Sequence, residues 1–245
     1  MDPSENVFKY ETAYDLLVRL GAERLFLRTC LSILDPVLEL HPGKCYEIDG
    51  DLGVGKTQIC YSFAAKFLQT KKTAKMGWIG ATPLRTDHLL LHIEHFGNQT
   101  NEDILDRIVC KRVEKIAELQ DSLTRFLDTI NLQLVIVENI DAILHDTVYH
   151  KEMGRSMQSD VVERIRKLTK LEITVILTNH ITHWRGYPAP ALGAFWSSQI
   201  NNRFFIEKRN DDSDIRIVSA MKGEQDDGMN RIEFKIGDRG LKAVE

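Results

Sequence analysis

The chain has 245 residues, 43% hydrophobic and 28% charged, with a formal net charge of −4. That composition suits a folded globular protein with enough chain for a substantial core. It excludes a strongly basic nucleic-acid coat, so any DNA contact has to be local or shared with a partner.

The four cysteines, Cys30, Cys45, Cys60 and Cys110, lie far apart and form no C-x-x-C pair. They read as buried free thiols in a reducing compartment, not as a disulfide frame or zinc site. The amino terminus lacks a basic-then-apolar leader, and no apolar run is long enough to span a membrane, so a soluble intracellular protein is expected.

Residues 1–11 read as a polar arm. Thr12 with Asp15 forms a plausible capping box for a helix through Tyr14, Leu16, Leu17 and Leu20 that stops at Gly21. A second helical piece is expected over residues 22–40, broken at Pro36. Residues 45–49 read as a strand and residues 58–68 as a helix.

Between them stands Gly50-Asp51-Leu52-Gly53-Val54-Gly55-Lys56-Thr57, followed by Gln58. This run fits G-x-x-x-x-G-K-[ST], and its strand–loop–helix setting fits too. Glycines let successive backbone N–H groups turn inward as an anion-binding nest, and the following helix aims its positive dipole end at the same point. Lys56 is placed to reach the outer phosphates of ATP or GTP, and Thr57 to offer a hydroxyl to Mg²⁺.

Residues 76–80 read as a second strand, followed by helices over 84–97, 101–109 and 114–130. The aliphatic run at 132–139 is a buried parallel strand ending in Glu138. A polar loop from His145 to Gln158 then leads to a helix over 159–170, and residues 173–179 form another buried strand. After a Gly- and Pro-rich loop at 181–194, strands are expected at 203–208, 214–221, 230–236 and 240–244. Together these indicate an α/β fold, a doubly wound and mainly parallel sheet with a C-terminal antiparallel strand extension.

In such a sheet the ligand lies beyond the carboxyl ends of the strands. Glu138 is a candidate to hold Mg²⁺ with Thr57, although Glu is one methylene longer than the Asp usual at such a strand end. At Thr178-Asn179-His180 a polar side chain could sense a terminal phosphate, or His180 could be a structural hydrogen-bonding group. His180 and His183 as metal ligands would need an acidic or thiolate partner that the nearby sequence does not offer.

Four passages in this order resemble the RecA-type recombinases, specifically their paralogues in homologous recombination. Gly55-Lys56-Thr57-Gln58-Ile59-Cys60 is similar to the GKTQ-apolar-Cys run of the eukaryotic branch. Leu134 to Glu138 occupies the Walker B place, and Thr178-Asn179-His180 resembles the T-N-Q switch. Pro190-Ala191-Leu192-Gly193-Ala194-Phe195-Trp196, with Asn202-Arg203-Phe204-Phe205 beyond it, is similar to the paralogues' P-A-L-G-x-x-W passage and following strand.

The resemblance implies two parts: residues 1–24 as an N-terminal arm and helix, and residues 25–245 as a RecA-like ATP-binding core. The helical DNA-binding domain of full-length recombinases has no counterpart in the resemblance. ATP and Mg are the implied cofactors, and residues 50–58 the implied nucleotide site.

Departures from the family bear on turnover. The acid that polarises the attacking water in active recombinases is replaced near Thr82, whose hydroxyl cannot act as that base at neutral pH. The switch glutamine is His180, and an adenine-stacking arginine is replaced by His88 with Arg85 nearby. Weak or absent ATPase activity is therefore expected, leaving Lys56 and His180 as the candidates for any catalytic part. The family's aromatic-x-x-Ala subunit-docking motif is similar in form to the run from Tyr10 to Ala13, which otherwise just leads into the Thr12-capped helix.

The family's two DNA loops correspond to residues 143–158 and 181–194, with Lys151, Arg155 and Arg185 as candidate phosphate contacts. Tyr149, Trp184 and Tyr187 are candidate stacking groups, while Trp196 suits the core better. The resemblance implies a nuclear mediator that stabilises or remodels recombinase filaments on single-stranded DNA, with a strand-exchange recombinase and another paralogue as partners and weak DNA binding of its own. A DNA-stimulated ATPase of ring-helicase type would need an acid such as Asp87 or Glu94 to move in. The same phosphate loop would also suit a small-molecule kinase, or could be vestigial in a scaffold that needs no nucleotide.

Overall fold

In the computed structural model of the protein, the structure describes residues 27–96, 102–184, 187–210, 213–222 and 231–244. The strands are β1 (Cys45–Gly50), β2 (Lys75–Gly80), β3 (Ile108–Arg112), β4 (Leu132–Glu138), β5 (Thr174–Trp184), β6 (Tyr187–Pro190), β7 (Asn202–Lys208), β8 (Ile215–Lys222), β9 (Arg231–Gly237) and β10 (Gly240–Ala243). The helices are α1 (Asp35–Leu38), α2 (Lys56–Thr70), α3 (Thr86–Phe96), α4 (Ile116–Leu127), α5 (Ile140–Leu144), α6 (Lys151–Lys170) and α7 (Gly193–Gln199).

One sheet runs β10-β9-β8-β7-β1-β5-β4-β2-β3, with β6 folded back on β5. Strands β1 to β5 and β7 pair in parallel, and β8, β9 and β10 extend the sheet antiparallel. The alternation of side chains along β4 shows how both faces are filled. Leu134 and Ile136 join a core with α2 and α3, whereas Val135 and Val137 join one with α4, α6 and α7. Burial on both faces is why β4 reads as a continuous aliphatic run.

Several elements differ from the sequence expectations. The helix anticipated over 22–40 is, in its described part, a Leu27–Leu40 bridge around two short turns, Ser32–Leu34 and α1. Pro36 lies in the first turn of α1, where a missing N–H costs nothing, so it starts a helix instead of breaking one.

In place of the helix expected over 101–109, the described residues 102–109 form a short 3-10 segment (Glu102–Arg107) running into edge strand β3. The polar loop at 145–158 is largely helical, as a 3-10 turn (His145–Val148) and the first turns of α6. Much of the loop at 181–194 is the β5–β6 hairpin, with Ile181 opposite Pro190. Of the thiols, Cys60 is buried, Cys30 and Cys45 are partly covered, and Cys110 is exposed on β3, so the expectation of four buried thiols fails there.

The arm and helix of residues 1–24 lie outside the described residues. Among the described residues no helix is long and apolar enough to cross a membrane.

Candidate functional site

The loop from Gly50 to Gly55 leaves the carboxyl end of β1 and enters α2 at Lys56. Two glycines are demanded by their surroundings. A Cβ on Gly50 would lie 2.5 Å from the Ile206 carbonyl oxygen of β7. Gly55 has φ +106, and its Cβ would meet Ile236 Cδ1 at 2.2 Å. The β9–β10 end of the sheet therefore packs directly on the loop. Val54 is buried under it, while Asp51, Leu52 and Gly53 are exposed.

Lys56 closes the loop from inside, its Nζ donating to Gly50 O at 2.7 Å and Asp51 O at 2.9 Å. Burial lowers its pKa, opposed by the charges of Asp141, Asp49 and Asp51. The Thr57 hydroxyl donates to Glu138 Oε1. Residues 81 apart in sequence are thus joined where β1 and β4 end. Burial raises the pKa of Glu138, and the Thr57 hydrogen bond acts against it. The Trp78 indole N–H, which has no well-formed hydrogen bond, is turned toward the same carboxylate. A hydroxyl and a carboxylate face to face form the oxygen donor set that suits Mg²⁺. Gln58 offers Oε1 to His92 Nε2 at 2.8 Å, fixing the first turn of α2 against α3.

Near the end of the part of β5 that pairs with β1, Asn139 N–H donates to the Thr178 hydroxyl, and Asn179 Nδ2 donates to Glu47. His180 lies opposite Gly50 in the β1–β5 register. Its partner is Asp141, which faces Nδ1 at 2.8 Å through Oδ2 and the backbone N–H at 3.3 Å through Oδ1. The acidic partner missing from the nearby sequence is therefore supplied by α5. Even so, the described residues hold no cluster of three ligating side chains, and His183 is exposed on the hairpin.

Of the two other acids considered for catalysis, Asp87 is paired and Glu94 faces solvent. Arg85 grips Asp87 at 2.7 and 3.0 Å and holds its carboxyl down at about 2. Glu94 is exposed on α3, and Thr82 is exposed beyond β2. His88 lies 6.4 Å from the Tyr61 ring.

Beneath the loop is a buried polar group that the sequence pattern did not reveal. Glu47 Oε1 accepts from Trp196 Nε1 at 2.6 Å and Asn179 Nδ2 at 3.0 Å, and Arg203 binds Glu47 Oε2 at 2.6 Å. Arg203 Nε is also 2.8 Å from Asp49. The available signal was Glu47 and Asp49 two apart in an otherwise apolar strand, hence on one face and in need of a cation. Asp141 was legible only as an acid just past the end of β4.

Trp196 is fully buried, as expected of a core residue. Lys151 and Arg155 are exposed at the start of α6, with Arg155 lying 5.8 Å over the Phe195 ring, and Tyr149 is exposed just before them. They stand on helix, not on a loop. Arg185, Tyr10 and Ala13 lie outside the described residues.

No protein-family model matches the chain. It is 64% identical over 244 residues to RAD51-like protein 1 of Caenorhabditis briggsae, covering 100% of both chains. It is 27% identical to DNA repair protein RAD51 homolog 4 of Mus musculus, across 79% of this chain and 64% of that one. To the DNA repair protein XRCC3 homolog of Arabidopsis thaliana it is 22% identical, covering 93% of this chain and 89% of that one. Among solved structures the RadB recombinase has the same fold, with a TM-score of 0.73 at 19% identity, covering 89% of this chain and 100% of that one.

Proposed function

The chain belongs to the RAD51-like paralogues of the RecA-type recombinases, and on that footing we propose that it binds Mg·ATP and acts in homologous-recombination repair by stabilising or remodelling recombinase filaments on single-stranded DNA. The observation that carries the nucleotide reading is the grouping of Lys56, Thr57 and Glu138 around the loop at the carboxyl ends of β1 and β4. The backbone N–H groups of residues 50–58 hold the phosphates, Lys56 exchanges its loop carbonyls for phosphate oxygens, and Thr57 with Glu138 holds the metal. Bound Mg²⁺ supplies neutralisation of phosphate charge.

The protein works in a complex with a strand-exchange recombinase and a second paralogue, in the nucleus. The names of its relatives, which call two of them DNA repair proteins, support that placement. DNA contact is weak and local, through Lys151, Arg155 and Arg185 with Tyr149 nearby. Residues 25–245 are the ATP-binding core, and the Tyr10 to Ala13 segment docks on a neighbouring subunit.

The test is nuclease protection of recombinase filaments on single-stranded DNA, with the candidate paralogue partner present. Added protein is expected to increase protection and Lys56→Ala to abolish the increase. Protection retained by Lys56→Ala points to a scaffold that does not need nucleotide. No protection by the unaltered protein contradicts the mediator role.

A further inference from the structure

Thr82, exposed beyond β2, offers no proton acceptor at neutral pH, yet one is assembled two strands away. His180 ends the buried part of β5 directly opposite Gly50, the residue whose carbonyl holds Lys56 Nζ at 2.7 Å. Both oxygens of Asp141 face this one residue, at its backbone N–H and at Nδ1. A carboxylate only accepts, so Nδ1 carries the proton, and in the neutral ring Nε2 is left as an unprotonated acceptor. Nε2 has no protein partner among the described residues and is not sealed from solvent.

The side chains of His180 and Asp141 are 25% and 15% exposed, so the pair is fixed in place yet still reachable. The β1–β5 register, with His180 opposite Gly50, puts the pair beside the phosphate loop. Three neighbouring carboxylates are engaged elsewhere: Glu138 by Thr57, Asp87 by Arg85, and Asp49 by Arg203. Among these four only Asp141 lies within hydrogen-bond distance of a histidine ring, the approach of His88 to Asp87 being 3.9 Å.

We propose that Asp141 and His180 form a carboxylate–imidazole pair in which His180 is the general base for water attack on the terminal phosphate of bound ATP. This rests on the nucleotide-binding reading above. His180 Nε2 takes a proton from water as the water oxygen bonds to the terminal phosphorus. The bond from that phosphorus to its bridging oxygen breaks, and ADP leaves with the electron pair. Asp141 balances the charge on the imidazolium, which then returns its proton to phosphate or solvent. Asp141 is the positioning residue and touches no substrate.

The experiment is single-turnover phosphate release from Mg·ATP by the full chain, with and without single-stranded DNA, alongside nucleotide affinity by fluorescence. Slow release above a Lys56→Ala control is expected from the unaltered protein. His180→Ala is expected to lose about 100-fold in rate with ATP affinity within about threefold, and added imidazole to restore part of the rate. Asp141→Asn is expected to lower the rate constant while leaving the half-saturating ATP concentration near its original value.

Phosphate released from bound ATP no faster than with Lys56→Ala, with or without DNA, overturns the inference while leaving nucleotide binding intact. A His180→Ala rate equal to that of the unaltered protein overturns it as well. Should Asp141→Asn fail to fold, the His180→Ala and imidazole arms still decide. Absence of ATP binding by the unaltered protein overturns the reading on which the inference rests.

Discussion

Replacing Arg203 with Met strips the cation from a buried pair of carboxylates. The Arg203 side chain is 12% exposed, Glu47 is fully enclosed and Asp49 nearly so. Removing one partner of a buried ion pair costs about 3–5 kcal/mol, because the remaining charge stays desolvated. For a chain of this length that is a fall in Tm of roughly 6–20 °C.

The loss also depends on pH. Burial and then the Glu47 charge push Asp49 from its ordinary 3.8 up to about 8, with the Arg203 charge pulling the other way. A carboxyl raised on folding contributes stability that is fully present below about pH 4 and is lost as pH rises through about 8. Removing Arg203 raises Asp49 further, so the deficit of Arg203→Met widens between pH 5 and pH 9. Urea unfolding at both pH values measures it, with Arg203→Lys, which keeps the charge but not the two-pronged contact, falling between. A loss under about 1 kcal/mol, or one independent of pH, would refute the reasoning.

Two further outcomes follow from the same neighbourhood. His92 is buried and neutral, its pKa lowered from 6.5 to about 4 by burial. Its contribution is present above pH 6.5 and lost as pH falls toward 4, amounting to about 3 kcal/mol; His92→Leu should flatten that limb of the urea midpoint, and an unchanged slope contradicts it. Gly55→Ala forces a Cβ to within 2.2 Å of Ile236 Cδ1 at φ +106. It should cost about 1–3 kcal/mol and weaken ATP binding at least tenfold (roughly 1.4 kcal/mol); affinity equal to that of the unaltered protein contradicts it.

The sequence carried the strand–loop–helix unit because its glycines and its Lys56-Thr57 pair are local, and it carried β4 because burial on both faces leaves an unbroken aliphatic run. It did not carry the helical stretch at 140–158, since what packs there is polar or small. Gln158 Nε2 bonds the Thr147 hydroxyl at 2.9 Å, and Gly154 lies so close to the Thr147 carbonyl that no Cβ fits. Hydrophobic periodicity is blind to both contacts. Edge strand β3, largely exposed, gave no alternation to read. The hydrogen bond of Thr57 to Glu138 joins two residues that local motifs mark, whereas the pairing of Asp141 with His180, 39 residues apart, required the packing of α5 on β5.

The most direct test of the nucleotide site is calorimetric titration of Mg·ATP into the full chain and into Lys56→Ala. Saturable binding that needs Mg²⁺ and disappears in Lys56→Ala is the predicted result. No binding by the unaltered protein, or equal binding by both, would contradict the assignment of Lys56, Thr57 and Glu138 to ATP and its metal.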